Sequence, residues 1–225
     1  MGRFGASGGM VMNPQAMKHP LRQSIIAARQ NLAAMDRAAF SRAITARLIT
    51  LKAYQSASTV LGYMSFGAEF ESGAWVQQAL QDGKQVFLPR VNSSSKQLDL
   101  YLIKSLQQDL APGAWDIPEP IPDRCLKVET LAEIDFILLP GVGFARDGSR
   151  LGYGGGFYDK LLERVARAQN AQNPPPVLVA AAFSLQLQES IPQEATDRKV
   201  EWLLTENEVI DCATVMNVAG LNNLK

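Results

Sequence analysis

Residues 138–159 read LLPGVGFARDGSRLGYGGGFYD: the end of an apolar run, seven glycines, then the opening of a helical pattern. The run that leads in, residues 136–139, is continuous rather than alternating, which suits a strand covered on both faces. Downstream, residues 157–171 carry helical periodicity until Asn173-Pro174-Pro175-Pro176 stops it. A buried strand, a glycine-rich loop and a helix in that order place the loop at the carboxyl end of a sheet, where open α/β folds bind their ligands. Glycines expose backbone N–H groups, and a helix N-terminus adds partial positive charge, so phosphate is the natural guest. Two narrower fingerprints are absent. No Lys-Ser or Lys-Thr pair follows these glycines, as a P-loop requires, and Phe157 stands where a dinucleotide motif needs its third glycine. From the residues alone, a phosphate loop and an ordinary wide turn both stay open.

Working outward, the flanking segments alternate between strand and helix. Residues 59–64, 85–88, 98–103, 177–183 and 200–204 read as strands, and residues 72–81 as a helix stopped at Gly83. Two amphipathic helices precede them. The first places Leu21, Ile25, Ala28 and Leu32 on one stripe, with Lys18, Arg22 and Arg29 on a neighbouring one. The second is predicted to begin at Asp36 as N-cap and to bury Phe40, Ile44, Leu48 and Leu51. The order predicts a three-layer α/β/α, Rossmann-like fold with a largely parallel sheet and two N-terminal helices. Residues 1–17 read as a mobile segment, 18–210 as a single domain and 211–225 as a tail.

Composition removes several function classes. With 47% hydrophobic residues the chain is not disordered, and no run of about 18 apolar residues is present to span a membrane. Cys125 and Cys212 cannot make a disulfide scaffold or a four-cysteine zinc site; they read as inert thiols. With no secretory segment in front, a reduced cytoplasmic setting is the expectation, and a monomer the simplest assembly. The 22 basic and 22 acidic residues cancel, which disfavours a general nucleic-acid binder. The balance is uneven, however. Residues 1–52 carry eight Lys or Arg against Asp36 alone, a net +7 that the remainder offsets. Such a basic segment suits an anionic ligand, or a solvated helical face.

The candidate functional side chains lie around the glycine loop. Asp159 closes it, and Asp197 follows later; carboxylates beside phosphate are plausible Mg²⁺ ligands, although a first-turn Asp159 also simply suits the helix dipole. Glu69 and Glu71, after the first strand, can accept N–H groups of a ligand or decorate a turn. Trp115, in a proline-bounded loop, can stack on a flat heterocycle or cap the core. His19, the only histidine, is given no role.

Pro140-Gly141-Val142-Gly143-Phe144 with Arg150-Leu151-Gly152-Tyr153-Gly154-Gly155-Gly156-Phe157-Tyr158-Asp159 resembles the signature of the 5-formyltetrahydrofolate cyclo-ligase (5,10-methenyltetrahydrofolate synthetase) family. The resemblance spans about residues 18–205. It includes Lys18 and Arg22, Glu69-Phe70-Glu71, Leu88-Pro89-Arg90, Trp115-Asp116-Ile117-Pro118-Glu119-Pro120 and Asp197-Arg198-Lys199-Val200. It implies ATP- and Mg²⁺-dependent closure of 5-formyltetrahydrofolate to 5,10-methenyltetrahydrofolate, through a phosphorylated formyl group, with release of ADP and phosphate. By the same resemblance Lys18, Arg22, Arg150, Gly152, Gly154, Gly155, Gly156 and Tyr158 hold ATP. Glu69, Trp115, Tyr153, Phe157 and the same glycines 154–156 hold folate, and Asp159 with Asp197 holds Mg²⁺.

Some positions depart from the family pattern. Phe157 stands for the first of two tyrosines, Gly155 for a lysine found in some relatives, and Ser72 for a threonine. A non-catalytic folate- or nucleotide-binding protein of the same fold is the alternative; two retained metal-type carboxylates argue against it. A basic-armed RNA-associated protein is a further reading, and would show a steep salt dependence of RNA affinity.

Overall fold

A computed structural model describes residues 14–170, 173–194 and 197–214. The chain begins with α1 (Pro14–Gln30), α2 (Ala34–Thr50) and the short α3 (Lys52–Ser56). Then come β1 (Thr59–Leu61), α4 (Ser72–Gln81), β2 (Gln85–Asn92) and β3 (Gln97–Ile103). A one-turn α5 (Leu106–Asp109) leads into β4 (Leu110–Pro112), β5 (Pro118–Pro120) and β6 (Leu126–Lys127). The second half holds β7 (Phe136–Leu139), β8 (Gly143–Ala145), β9 (Arg150–Leu151), α6 (Phe157–Ala168) and β10 (Val177–Ala181). It closes with β11 (Leu187–Gln188), β12 (Trp202–Leu204) and β13 (Val209–Asp211).

The main sheet has eight strands in the order β13-β12-β10-β7-β1-β2-β3-β6. Strands β12, β10, β7, β1 and β2 are mutually parallel, while β13, β3 and β6 add antiparallel edges. Period-2 alternation sorts the side chains of β7 onto two faces. Phe136 and Leu138 enter a core beneath α2 and α4, with Val60, Trp75, Val76 and Val179. Ile137 and Leu139 enter a second core beneath α6, with Leu61, Ala180, Leu203, Leu161 and Val165. Both faces of β7 are therefore dry, which is why its sequence is apolar throughout. Each aliphatic side chain buried this way contributes about 1.5–3 kcal/mol, and α6 places Leu161, Leu162 and Val165. The expected three-layer architecture is the one observed.

A smaller sheet, β11-β8-β9, carries the hairpin ahead of the glycine loop. Helix α1 packs on it through Ile25, which shares a third core with Val142, Ala145, Leu151 and Ile191. Gly143 makes that approach possible, since a Cβ there would lie 2.6 Å from Ile25 Cδ1.

Several element limits differ from the sequence reading. Residues 14–17 already belong to α1, so only residues 1–13 of the N-terminal segment remain outside the described residues. Helix α2 is capped at Ala33, and Asp36 sits in its first turn instead of at the cap. Strand β1 stops at Leu61, β10 at Ala181, and β12 starts at Trp202. Helix α6 ends at Ala168, before the proline run. Strand β2 runs through Pro89 to Asn92, because β1 pairs only as far as Phe87 and the missing N–H falls beyond that ladder. Helix α1 differs most. Its buried positions are Lys18, Ile25 and Arg29, while Ala28 is exposed: the basic stripe faces inward. The predicted tail begins inside β13, and residues 215–225 lie outside the described residues.

Candidate active site

Above the carboxyl ends of β7 and β1 lies a cleft of about 1000 Å³. Every side chain and glycine singled out above as ATP-, folate- or metal-binding lines it: Lys18, Arg22, Glu69, Trp115, Arg150, residues 152–159 and Asp197. The wall is assembled from α1, the β1–α4 loop, the β4–β5 hairpin, the glycine loop and the segment before β12.

One end is a set of balanced charges. Lys18, 4% exposed, places Nζ 2.6 Å from Asp197 Oδ2 and 3.6 Å from Glu194. Arg150, also buried, places Nη2 2.6 Å from Asp159 Oδ1 and donates through Nη1 to the Pro140 carbonyl at 3.4 Å. Arg22 donates from Nε to the Gly152 carbonyl at 2.7 Å, tying α1 to the glycine loop. Gly154 (φ +99°) and Gly156 (φ +65°) hold left-handed conformations, and Gly156 caps α6 with no side-chain bond to its first amides. An anion reaching this end meets unsatisfied N–H groups and three cations.

Each predicted metal-ligating carboxylate is thus paired with a predicted phosphate-binding cation. Among the described residues no three His, Cys, Asp or Glu side chains gather as a metal cage. Arg150 engages Oδ1 of Asp159, and no bond to Oδ2 occurs among the described residues. That donor set, one or two oxygens and no cage, suits Mg²⁺ shared with phosphate oxygens and water, and does not suit zinc.

The hairpin of β8 and β9 sets the position of Arg150. Gly148 in its turn (φ +83°) accepts an N–H from Val200 at 2.9 Å. Asp147 in the same turn binds the Ser149 amide and hydroxyl and pairs with Lys199 at 2.5 Å.

The other end of the cleft centres on Glu69, 4% exposed. Ser72 organises its loop by donating to the Tyr63 carbonyl at 2.6 Å and accepting from the Ser65 amide at 2.9 Å. Glu69 Oε2 accepts the Phe66 N–H at 3.1 Å, and Oε1 accepts the Tyr153 hydroxyl proton. Burial raises the Glu69 carboxyl above its ordinary pKa, opposed by the Tyr153 and Phe66 bonds and by the Arg29 charge. Burial and the Glu69 charge push Tyr63, Tyr153 and Tyr158 upward in turn. Glu71 behaves differently: it lies outside the cleft wall, at the N-cap of α4, and its amide donates to Ser41 at 3.1 Å. Of these two acids, Glu69 lines the cleft and Glu71 does not.

Two aromatic pairs stand in the cleft wall. Phe66 tilts on Tyr153 at 5.2 Å, and Trp115 meets Phe157 edge-on at 6.2 Å. Trp115 is 67% exposed, so it does not cap the core. It and Asp116 are consecutive non-glycine residues with φ near +57° and +58°, each costing roughly 1–2 kcal/mol. The hairpin that imposes this is pinned by buried Glu119, which accepts the Val91 N–H at 3.1 Å and lies 3.4 Å from Arg90. Gly113 leaves the room, since a Cβ there would sit 2.3 Å from the Glu119 carboxylate.

Glu119, Phe66 and Arg29 went unassigned in the sequence. Arg29 had a signal, its seven-residue spacing from Arg22 on the basic stripe; Glu119 had only its place between two prolines. His19 lies in α1 and does not line the cleft. Cys125 and Cys212 are buried and free, with burial pushing the Cys212 thiol up to about 12, as suits inert thiols. Among the described residues no helix is long and apolar enough to cross a membrane.

Comparison with known proteins points one way. The pattern of the 5-formyltetrahydrofolate cyclo-ligase family matches residues 14–206. The chain is 30% identical to the Mus musculus 5-formyltetrahydrofolate cyclo-ligase, over 84% of this chain and 94% of the mouse protein. It is 31% identical to the Haemophilus influenzae protein of the same name, over 83% of this chain and 95% of that one. The solution structure of Aquifex aeolicus 5,10-methenyltetrahydrofolate synthetase superimposes with a TM-score of 0.72 at 28% identity, covering 87% of this chain and 93% of that one.

Proposed function

The chain belongs to the 5-formyltetrahydrofolate cyclo-ligase family, and on that footing we propose that its cleft closes 5-formyltetrahydrofolate to 5,10-methenyltetrahydrofolate while converting ATP to ADP and phosphate. The observation that carries this reading is the division of one cleft between an end where cations are paired with carboxylates and an end where buried Glu69 stands among aromatic side chains, with the glycine loop common to both.

A formamide is a poor electrophile because its nitrogen lone pair feeds the carbonyl. The formyl oxygen attacks the γ-phosphorus of ATP, the bond to the β-bridging oxygen breaks, and ADP leaves. The formyl carbon is then an iminium phosphate. N10 of the same folate attacks that carbon and loses its proton, and the C–O bond breaks to release phosphate. No protein nucleophile is required, so the protein's task is to position two ligands and offset charge.

Lys18, Arg22 and Arg150 are assigned to the phosphates, with the amides of Gly152, Gly154, Gly155 and Gly156 and the side chain of Tyr158. Asp159 and Asp197 would hold Mg²⁺, which when bound offsets charge on the phosphate oxygens. Until phosphate arrives, Lys18 and Arg150 neutralise these carboxylates, which keeps a doubly acidic pocket from repelling the nucleotide. Glu69 accepts N–H donors at the pterin edge; each oxygen has one protein bond and retains a further lone pair. Tyr153, Phe157 and Trp115 offer aromatic surface to the ring system.

The test follows the near-ultraviolet methenyl chromophore and ADP together, in purified protein given 5-formyltetrahydrofolate and MgATP. Equal amounts of both products, abolished by EDTA, are the expected result. ADP without chromophore would mean a different acceptor, and folate binding with neither product would favour the non-catalytic binding protein.

A further inference from the structure

Arg29 has no place in the reaction as just described, yet its environment is unusual. It projects from α1 with 4% exposure and does not line the cleft. Its Nη2 donates to the Tyr153 hydroxyl at 2.7 Å, its Nη1 lies 4.0 Å from Glu69 Oε1, and its guanidinium carbon lies 5.8 Å from the centre of the Tyr153 ring. Neither Nε nor Nη1 has a hydrogen-bond partner among the described residues. A buried guanidinium with two unmet donors is a poor packing element, since an apolar side chain of similar volume would fill the space without desolvating a charge.

The direction of the bonds follows from donor inventory. A guanidinium only donates, so the Tyr153 oxygen is the acceptor of the Arg29 bond. The single phenolic proton is then left for Glu69, whose Oε1 accepts it. The chain Arg29 to Tyr153 to Glu69 is consistent with Glu69 as a carboxylate.

We propose that Arg29 is a positioning residue for the folate end of the cleft: it orients the Tyr153 hydroxyl toward Glu69 and holds Glu69 in the ionised form that accepts the pterin N–H donors. The proposal rests on the assignment of Glu69 to folate given above. It also accounts for the charge balance of the pocket. Glu69 is faced by Tyr153 from the glycine loop, Tyr158 from α6, and Tyr63 and the Phe66 amide from its own β1–α4 loop. Arg29 is the cation facing it among these groups, and burial alone drives the carboxyl toward protonation. Without that cation the folded-state value rises further, Glu69 stays protonated to a higher pH, and one acceptor for the pterin edge is lost there.

The experiment measures 5-formyltetrahydrofolate binding by calorimetry without ATP over a pH series that runs upward from the ordinary carboxylate range, the direction in which burial moves Glu69. Wild-type affinity falls on the acid side as Glu69 takes up a proton. In Arg29→Met and Arg29→Gln that fall moves to higher pH by about 1 unit or more, the effect of removing an opposite charge at this range. Arg29→Lys keeps the cation and returns the fall toward its wild-type position, while Glu69→Gln binds weakly at every pH. An acid limb unmoved in folded Arg29→Met or Arg29→Gln overturns the proposal while leaving Glu69 on folate. Wild-type affinity in Glu69→Gln removes the folate assignment itself. If neither neutral variant folds, Arg29→Lys carries the test: the lost bond to Tyr153 lowers affinity roughly 3–10-fold with the limb in place, and wild-type affinity overturns the proposal.

Discussion

Replacing Gly148 by alanine tests how the hairpin that carries Arg150 is held. The substitution has two separable effects. First, φ is +83° at Gly148, and an L side chain there costs about 1–2 kcal/mol. Second, the new Cβ would lie 2.2 Å from the Val200 carbonyl oxygen and 3.2 Å from Cys212 Cβ. The first of these is backbone and cannot rotate away, so one strand end must move, at about 1–3 kcal/mol. Gly83 supplies the control. Its φ is +74°, and a Cβ there meets nothing within 4 Å, so Gly83→Ala carries the conformational effect without the collision. Any gain from stiffening the unfolded chain enters both variants and cancels. The difference between them is therefore about 1–3 kcal/mol, and at 2–4 °C per kcal/mol for a chain of this size Gly148→Ala melts roughly 2–12 °C below Gly83→Ala. Differential scanning calorimetry reads this directly. A second readout is kinetic: displacing the turn displaces Arg150, so the KM for MgATP rises in Gly148→Ala while that for 5-formyltetrahydrofolate holds. Equal melting temperatures would refute the reasoning, because they would mean that the turn does not bear on Val200.

Asp159→Asn removes a carboxylate assigned to Mg²⁺ and leaves Arg150 without its 2.6 Å partner. Turnover should fall by about 10²–10³ and the Mg²⁺ activation curve move to higher concentration, as titration of the metal in a steady-state assay will show. Arg22→Ala loses a charge-assisted bond to the Gly152 carbonyl, and the KM for ATP should rise roughly 10-fold or more, ahead of that for folate. Trp115→Ala should leave the melting temperature within about 2 °C, because the side chain is 67% exposed, and weaken folate binding by about 1–2 kcal/mol, measurable by calorimetry.

What could be read from the chain, and what could not, follows from which interactions are local. The run at 136–139 announced a doubly covered strand because its neighbours on both faces are apolar, and the glycines after it marked the loop because tight turns leave a compositional trace. Helix α1 was only partly legible, for the opposite reason. Its basic stripe read equally as an anion site or as a solvated face, and what decides it is that Lys18 and Arg29 are buried against Asp197 and Glu69, partners far away in sequence. Ala28, apolar in the pattern, faces out. Strand β2 passes through Pro89 because the end of β1 removes the neighbour that would have needed its N–H, again a fact about another segment. The left-handed backbone at Trp115 and Asp116 left no mark, since tryptophan disfavours that conformation, aspartate adopts it only occasionally, and the hairpin around them is held to β2 by the distant Glu119. The candidate site was legible as a set of residues, and its pairing of each carboxylate with a cation was not.

The proposed reaction turns on the transfer of a phosphoryl group to the formyl oxygen. The decisive measurement follows that oxygen. With 5-formyltetrahydrofolate carrying heavy oxygen in the formyl group, and MgATP unlabelled, the phosphate released in a single turnover should carry one labelled oxygen and the ADP none. Label recovered in water, with unlabelled phosphate, would contradict the account, because the formyl oxygen would then have left without ever being bonded to phosphorus.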